Sequence, residues 1–308
     1  MTDLIYADLH NHTTASDGEF TPELMVLKAK QAGISVVGIT DHDTLDGIDK
    51  ALDAGKKHHI QVVSGVEVSV RFKRSFFTGT LHLLCYFMPD MLEKQAFVDH
   101  LNHGMAQGRG EKLVRARVAE INRYFGPSGE QPVLFRDMTY GDIARYSANA
   151  TRRHFSLALN DLFKIKDRDL INSIIGNSSR AYLPSGIDMS KAVELIKSLP
   201  VLSVLAHPAA GSFPGKGHYR EVLPPFETVE KLLPEFLDAG LHGLEINYPG
   251  HTEIHKARLF EVADRYNLIV TGGSDCHDAV DRPPGVEGID QNTFRVFKEK
   301  LDSIKKMS

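Results

Sequence analysis

The stretch "DLHNHTTASDG", residues 8 to 18, directly follows the first apolar run of the chain, "LIYADL". It places His10 and His12 two residues apart, with Asp8 before them and Asp17 five residues after His12. Side chains two apart in an extended segment point the same way, so His10 and His12 make a pincer suited to one ion. The question is then what the other apolar runs end in. "GITDHDT" delivers His42, "VVSGVEVSV" delivers Glu67, and "LHLLCYF" carries His82. "VLSVLAHP" ends at His207, "LHGLEINYP" carries Glu245 and Asn247, and "LIVTGGSDCH" ends with Asp275 and His277. Asp275 and His277 repeat the two-residue spacing, which turns Cys276 away from them.

Between these runs lie helical patterns. "TPELMVLKAKQAG" has Thr21 as N-cap, Pro22 in the first turn and Gly33 as a stop. Helices are expected over 44–58, 188–198, 226–240 and 252–267. This βαβα order predicts a parallel sheet covered by helices, with Glu67 closing the third strand. In a closed barrel the C-terminal strand ends meet on one face, where barrel enzymes place their sites. Residues 91–187 break the rhythm. They read as helices without a strand, including one long helical stretch over 91–126, and so as an inserted subdomain. The division is 1–90 with 188–308 for the barrel, and 91–187 for the insert.

Composition narrows the function. The chain has 308 residues and a formal net charge of -4, which argues against bulk electrostatic binding of duplex nucleic acid. Two cysteines suggest no disulfide framework. "MTDLIYADLH" lacks the basic start and long apolar stretch of a signal peptide, and no run is long enough to span a membrane. A cytoplasmic protein is expected, with nothing to indicate a protein partner. Fifteen histidines are the unusual number. A lone strand-end histidine is usually a hydrogen-bonded core or surface residue, and His58, His59, His100, His103, His242 and His255 read that way. Several strand ends each supplying an imidazole or an acid read differently, because buried charges gather where a cation compensates them.

Taken together, "DLHNHTTASDG", "GITDHDT", "GVEVS", "AHP" and "GSDCH" resemble the PHP family, the polymerase and histidinol phosphatase domains. The resemblance implies a distorted (β/α)7 TIM-like barrel with two to three divalent metal ions. By motif, His10, His12, Glu67 and Asp275 would hold one ion, and Glu67, His82 and His207 a second. Asp17, His42 and His277 would hold the third. The catalytic set is then His10, His12, Glu67, Asp275 and His277. The helical insert is similar to that of the family's small-nucleotide phosphoesterases, where a basic helix and an R-x-H-F segment approach the substrate phosphates. Here those are Arg109, in "QGRGEK", and Arg152, Arg153 and His154, in "TRRHF". A solvated helix face is the ordinary alternative for Arg109.

What this implies is hydrolysis of a terminal phosphate on a small nucleotide, such as a 3′,5′-bisphosphonucleoside or a short oligonucleotide end. Histidinol-phosphate phosphatase activity and a non-catalytic metal- or partner-binding module are the alternatives. Mixed imidazole and carboxylate donors suit manganese, iron or zinc. Asp8 and Asp41 are candidates to orient ligand histidines. His251 is a candidate acid for the leaving group, or else a surface residue at a helix start. The loop "GSFPGKGHYR" reads as a surface loop with a weak anion-binding character.

Overall fold

The computed structural model describes residues 5–147, 149–215 and 223–305, so most of the basic half of the "GSFPGKGHYR" loop lies outside the described residues. Strand β1 (Ala7–Asp8) leads through the histidine-bearing stretch to α1 (Pro22–Gln31). The Thr21 hydroxyl accepts from the Leu24 N–H at 3.2 Å, and Pro22 opens the first turn. Strand β2 (Val36–Ile39), α2 (Ile48–His58) and β3 (Gln61–Lys73) follow. The strand β4 (Thr78–Phe87) then pairs antiparallel with β3. This corrects the all-parallel expectation: the link over 74–77 is far too short for the crossover that parallel strands need, and makes a hairpin instead. Glu67 consequently lies in the middle of β3 rather than at its end.

The second half contains β5 (Ile187–Asp188), α8 (Met189–Ser198), β6 (Leu202–Leu205), α9 (Phe226–Ala239), β7 (Gly243–Asn247), α10 (Glu253–Tyr266), β8 (Ile269–Gly272) and α11 (Gln291–Lys305). The sheet runs β1-β2-β3-β4-β6-β7-β8, with β5 paired to β3 off this path. The ends of that path meet: the Leu9 N–H donates to Gly272 O at 3.1 Å, and Asn11 bridges Cys276. At this seam a Cβ on Gly273 would sit 2.5 Å from the His10 backbone nitrogen, so the close approach requires glycine. The result is a distorted (β/α)7 TIM-like barrel.

Strand alternation sorts the core. Leu84 and Tyr86 join Leu9, Val63 and Val204 in one apolar cluster, whereas Leu83, Cys85 and Phe87 join the cluster shared with the covering helices. By the same two-residue period His82 shares the face of Leu84 and Tyr86. The inner cluster contains strand starts, Ala7, Val36 and Leu202, together with Phe294, Phe297 and Leu301 of α11. That helix therefore covers the N-terminal end of the barrel, with Phe297 edge-on to Tyr86 at 5.0 Å. The opposite mouth is left to polar residues.

The insert consists of α3 (Gln95–Ala106), α4 (Glu111–Phe125), α5 (Tyr140–Ala144), α6 (Arg152–Asp161) and α7 (Arg168–Ile175). Among the described residues no strand falls between β4 and β5. The long helical stretch expected over 91–126 is broken between α3 and α4, where Gly110 adopts φ 89°, a conformation open to glycine. Helix α3 packs Phe97, Leu101 and Met105 into the barrel's helix-side cluster. Val118, Ile121, Phe125, Phe155 and Leu159 belong to a separate apolar cluster, confined to residues 114–181. This second core sits against the polar mouth: the Asn149 amide donates to His42 O at 3.3 Å, and Arg153 pairs with Asp278 at 3.2 Å. Among the described residues no helix is long and apolar enough to cross a membrane.

Candidate metal centre

Donors from distant parts of the chain converge at the polar mouth. His10 Nε2 and His12 Nε2 lie 3.2 Å apart, and Asp275 Oδ1 is 3.5 Å from the first and 3.1 Å from the second. Glu67 is central: Oε2 lies 3.3, 3.1 and 3.0 Å from nitrogens of His10, His12 and His42. Its Oε1 lies 3.0 Å from His82 and 3.1 Å from His207. Asp17 is 3.3 Å from His277 Nε2. Three groups have the spacing to hold an ion: His10, His12, Glu67 and Asp275; His12, Asp17, His42 and His277; and His42, Glu67 and His82. His42 thus belongs to two of them.

These donors fit metal ions on two counts. First, Glu67 Oε2, His42 Nδ1 and His12 Nδ1 are buried without a hydrogen-bond partner, costly unless something else satisfies them. Second, the charges demand a cation. Burial alone would raise the Glu67 carboxyl, but His82, His42 and His10 outweigh it and hold it well below the usual range. Asp275 behaves likewise, with Arg282 and His10 outweighing burial, and Asp17 with His277 and His42. In turn burial is overcome at His10 by Glu245, Glu67 and Asp275, which raise it well above the imidazole range, and at His12, raised to about 9. Burial wins at His42, lowered to about 4. Ionised buried carboxylates with donor atoms aimed at common points are metal-binding chemistry.

The backbone is bent to make this geometry. Asp43, His207 and Asp275 adopt positive φ of 49°, 31° and 48°, an unusual conformation for residues with a Cβ. Asp41 is now explained differently from the sequence expectation. Its carboxylate accepts from the Thr13 N–H and hydroxyl and from Ser16, fixing the turn that carries Asp17. Asp8 accepts from Ser274 and Gly285 and reaches His10 only at its backbone N–H, so it ties the barrel seam. Neither touches an imidazole ring.

The residue that orients His10 is Glu245. Its Oε1 lies 2.9 Å from His10 Nδ1, which turns Nε2 towards the other donors, and its Oε2 accepts from the His207 N–H at 2.9 Å. Glu245→Gln should therefore weaken metal binding by roughly ten- to a hundredfold, read by titration against a competing chelator. Unchanged affinity would reduce Glu245 to a packing role. Glu245 was among the strand-end residues expected at the site, whereas Arg282 and Tyr248 were not. Arg282 pairs with Asp275 and lies 3.1 Å from His277 Nδ1, while the Tyr248 hydroxyl donates to Asp275 at 3.0 Å. Arg282 had one signal, its place five residues after His277.

The candidate substrate residues separate. Arg109 is buried, pairs with Asp43 and donates to the Ser69 hydroxyl at 2.8 Å, so it is not the solvated residue considered as an alternative. Arg153 is one-third exposed on the rim beside Asp278. His154 is buried, with Nδ1 accepting from the Thr151 N–H to cap α6, and Asp17 and Arg109 are close enough to act on its charge. Arg152 turns into the insert, donating to Asn177 Oδ1 at 2.9 Å. His251 is buried rather than on the surface. Its Nδ1 faces Ile246 O at 2.8 Å and its Nε2 accepts from the Ala209 N–H at 3.1 Å, leaving no proton for a leaving group. Cys276 packs in the helix-side apolar cluster, away from the donors.

A barrel with imidazoles and carboxylates converging at one mouth defines a metal-dependent hydrolase. The PHP domain model matches residues 8–184, and the chain belongs to the PHP family. It is 29% identical over 294 residues to phosphoribosyl 1,2-cyclic phosphate 1,2-diphosphodiesterase of Eggerthella lenta, across 91% of this chain and 97% of that one. It is 28% identical over 277 residues to the 3′,5′-nucleoside bisphosphate phosphatase of Chromobacterium violaceum, across 88% and 86%. It is 25% identical over 312 residues to the 5′-3′ exoribonuclease Rnm of Escherichia coli, across 94% and 95%. A solved structure described as a metal-dependent phosphoesterase, from Bifidobacterium adolescentis, superposes with a TM-score of 0.73 at 26% identity, covering 95% of each chain. This chain is a hydrolase of that metal-dependent phosphoesterase class.

Proposed function

We propose that the chain removes a terminal phosphate from a small nucleotide, such as a 3′,5′-bisphosphonucleoside or a short oligonucleotide end. The observation that carries the reading is the shared position of Glu67, whose two oxygens contact five imidazoles from four segments of the chain. His10, His12, Glu67 and Asp275 would hold one divalent ion, Glu67, His82 and His207 a second, and Asp17, His42 and His277 a third. Manganese, iron and zinc all suit these donors. When bound, the ions would make water a nucleophile near neutral pH and withdraw charge from the phosphoryl oxygens.

The chain's own groups do the rest. Glu245 holds the His10 tautomer, and Arg282 holds Asp275 in place. Arg153 and His154 would meet the substrate phosphate from the rim, with residues 91–187 acting as a cap over a barrel formed by 1–90 and 188–308. The complete donor set favours an enzyme over a module that only binds a partner.

Metal analysis coupled to phosphate release tests the reading. The panel holds 3′,5′-bisphosphonucleosides, 5′-phosphorylated oligonucleotides, cyclic phosphates and histidinol phosphate. Preference for histidinol phosphate, or no release by fully metallated protein, would overturn the nucleotide assignment. On the favoured substrate, Arg153→Ala should leave the ions bound and lower kcat/KM roughly ten- to a hundredfold, the loss of a charge-assisted bond. The loss should be larger for a nucleotide with two phosphate groups than for an aryl phosphate. Equal losses on both would remove Arg153 from phosphate recognition.

A further inference from the structure

His251 spends both ring nitrogens on backbone groups. A carbonyl only accepts, so the 2.8 Å contact with Ile246 O places the proton on Nδ1. Nε2 is then an acceptor, and takes the Ala209 N–H at 3.1 Å. Burial lowers the imidazole to about 3, so the ring stays neutral and keeps this tautomer. Ile246 is on β7 and Ala209 lies just beyond β6, so one buried ring ties the ends of two neighbouring strands. The ring has a fixed base. The His251 N–H donates to Tyr248 O at 3.0 Å, closing a β-turn with Pro249 at its first corner.

The turn that His251 reaches carries His207. That residue adopts φ of 31°, although a residue before proline favours an extended backbone. Such a conformation persists only when its surroundings over-determine it. Glu245 Oε2 accepts from the His207 N–H at 2.9 Å, and His207 O accepts from the Ala210 N–H at 3.1 Å. Pro208 has no N–H to offer. Glu245 therefore anchors the turn ahead of the proline, and His251 anchors it behind. The side chain so held places His207 Nε2 3.1 Å from Glu67 Oε1 and 3.4 Å from His82 Nδ1.

We propose that His251 is a positioning residue for His207, and that it sets the affinity of the ion assigned to Glu67, His82 and His207 without altering the others. The proposal rests on that ion assignment. Selectivity follows from the contacts: Glu245 bonds to both His10 and His207, whereas the ring nitrogens of His251 end on Ile246 and Ala209. The His251 ring also packs 5.1 Å from that of Tyr248, which donates to Asp275, so a substitute in the test must keep that packing.

Zinc-loaded protein is dialysed against graded concentrations of a competing chelator, and the retained zinc is counted. His251→Phe keeps a ring against Tyr248 and loses both nitrogens. It should release one ion at a roughly ten- to a hundredfold lower chelator concentration, with the remaining ions held as in wild type. His251→Gln, whose amide can donate to Ile246 O and accept from the Ala209 N–H, should recover most of that loss. His207→Ala should lose the same ion outright. Urea midpoints check that each variant folds, and His251→Leu takes the place of His251→Phe if the latter does not.

Wild-type retention in His251→Phe, beside a lost ion in His207→Ala, would overturn the positioning role and leave the ion assignment standing. Equal losses in His251→Phe and His251→Gln would also overturn it, because packing alone would then explain them. Wild-type retention in His207→Ala would overturn the ion assignment, and the proposal with it.

Discussion

Glu67→Ala should cost the protein bound metal and nearly all of its turnover. The carboxylate places Oε2 within 3.3 Å of His10, His12 and His42, and Oε1 within 3.1 Å of His82 and His207. Among the described residues no other side chain in the mouth touches so many imidazoles. Removing it leaves His82 and His207 facing each other without the carboxylate that lay between them, so at least one ion should be lost. Turnover should fall on the order of 10²–10³-fold or more, the scale seen when one preorganised electrostatic group is deleted. The fold should survive, because its neighbours Val66 and Val68 anchor β3 in the helix-side apolar cluster. Metal stoichiometry, turnover and circular dichroism on one sample check all three. Full stoichiometry with normal turnover would remove Glu67 from the centre of the site.

Arg109→Met should destabilise the protein before it alters substrate binding. Arg109 and Asp43 form a buried ion pair, and Asp43 Oδ1 also accepts from the Ser69 N–H at 2.8 Å. Losing the arginine leaves a buried carboxylate with one backbone donor for company. Breaking such a pair costs on the order of 3–5 kcal/mol. The double variant Arg109→Met/Asp43→Asn should recover a large part of that loss, since it removes the stranded charge as well. Urea denaturation midpoints of the wild type, both single variants and the double variant measure it. A wild-type midpoint for Arg109→Met, together with a raised KM, would return Arg109 to direct phosphate contact.

The first turn of α1 was legible for a local reason: Thr21, Pro22 and Glu23 cap a helix whatever surrounds it. The direction of β4 was not. "LHLLCYF" alternates identically in a parallel or an antiparallel strand, and only the short link over 74–77 decides between them. The break between α3 and α4 was written in Gly108 and Gly110, but the helical pattern on either side masked it. Its consequence, Arg109 turned inward onto Asp43, depends on a partner 66 residues away.

Much the same division holds at the mouth of the barrel. Sequence alone determined the donor types and their local pairing, because the spacing in "HNH" and "DCH" sets side chains on one side of an extended backbone. It also indicated that His42, His207 and His277 follow successive apolar runs, but not that Glu67 and His82 lie inside the β3–β4 hairpin. Tertiary structure decided which atoms meet. Glu245 holding His10 and Arg109 holding Asp43 are contacts between segments that no local period relates. They exist because the sheet closes at Gly273 and the residues around Arg109 pack against the mouth, and the free energy of bringing those charges together is a property of that packing.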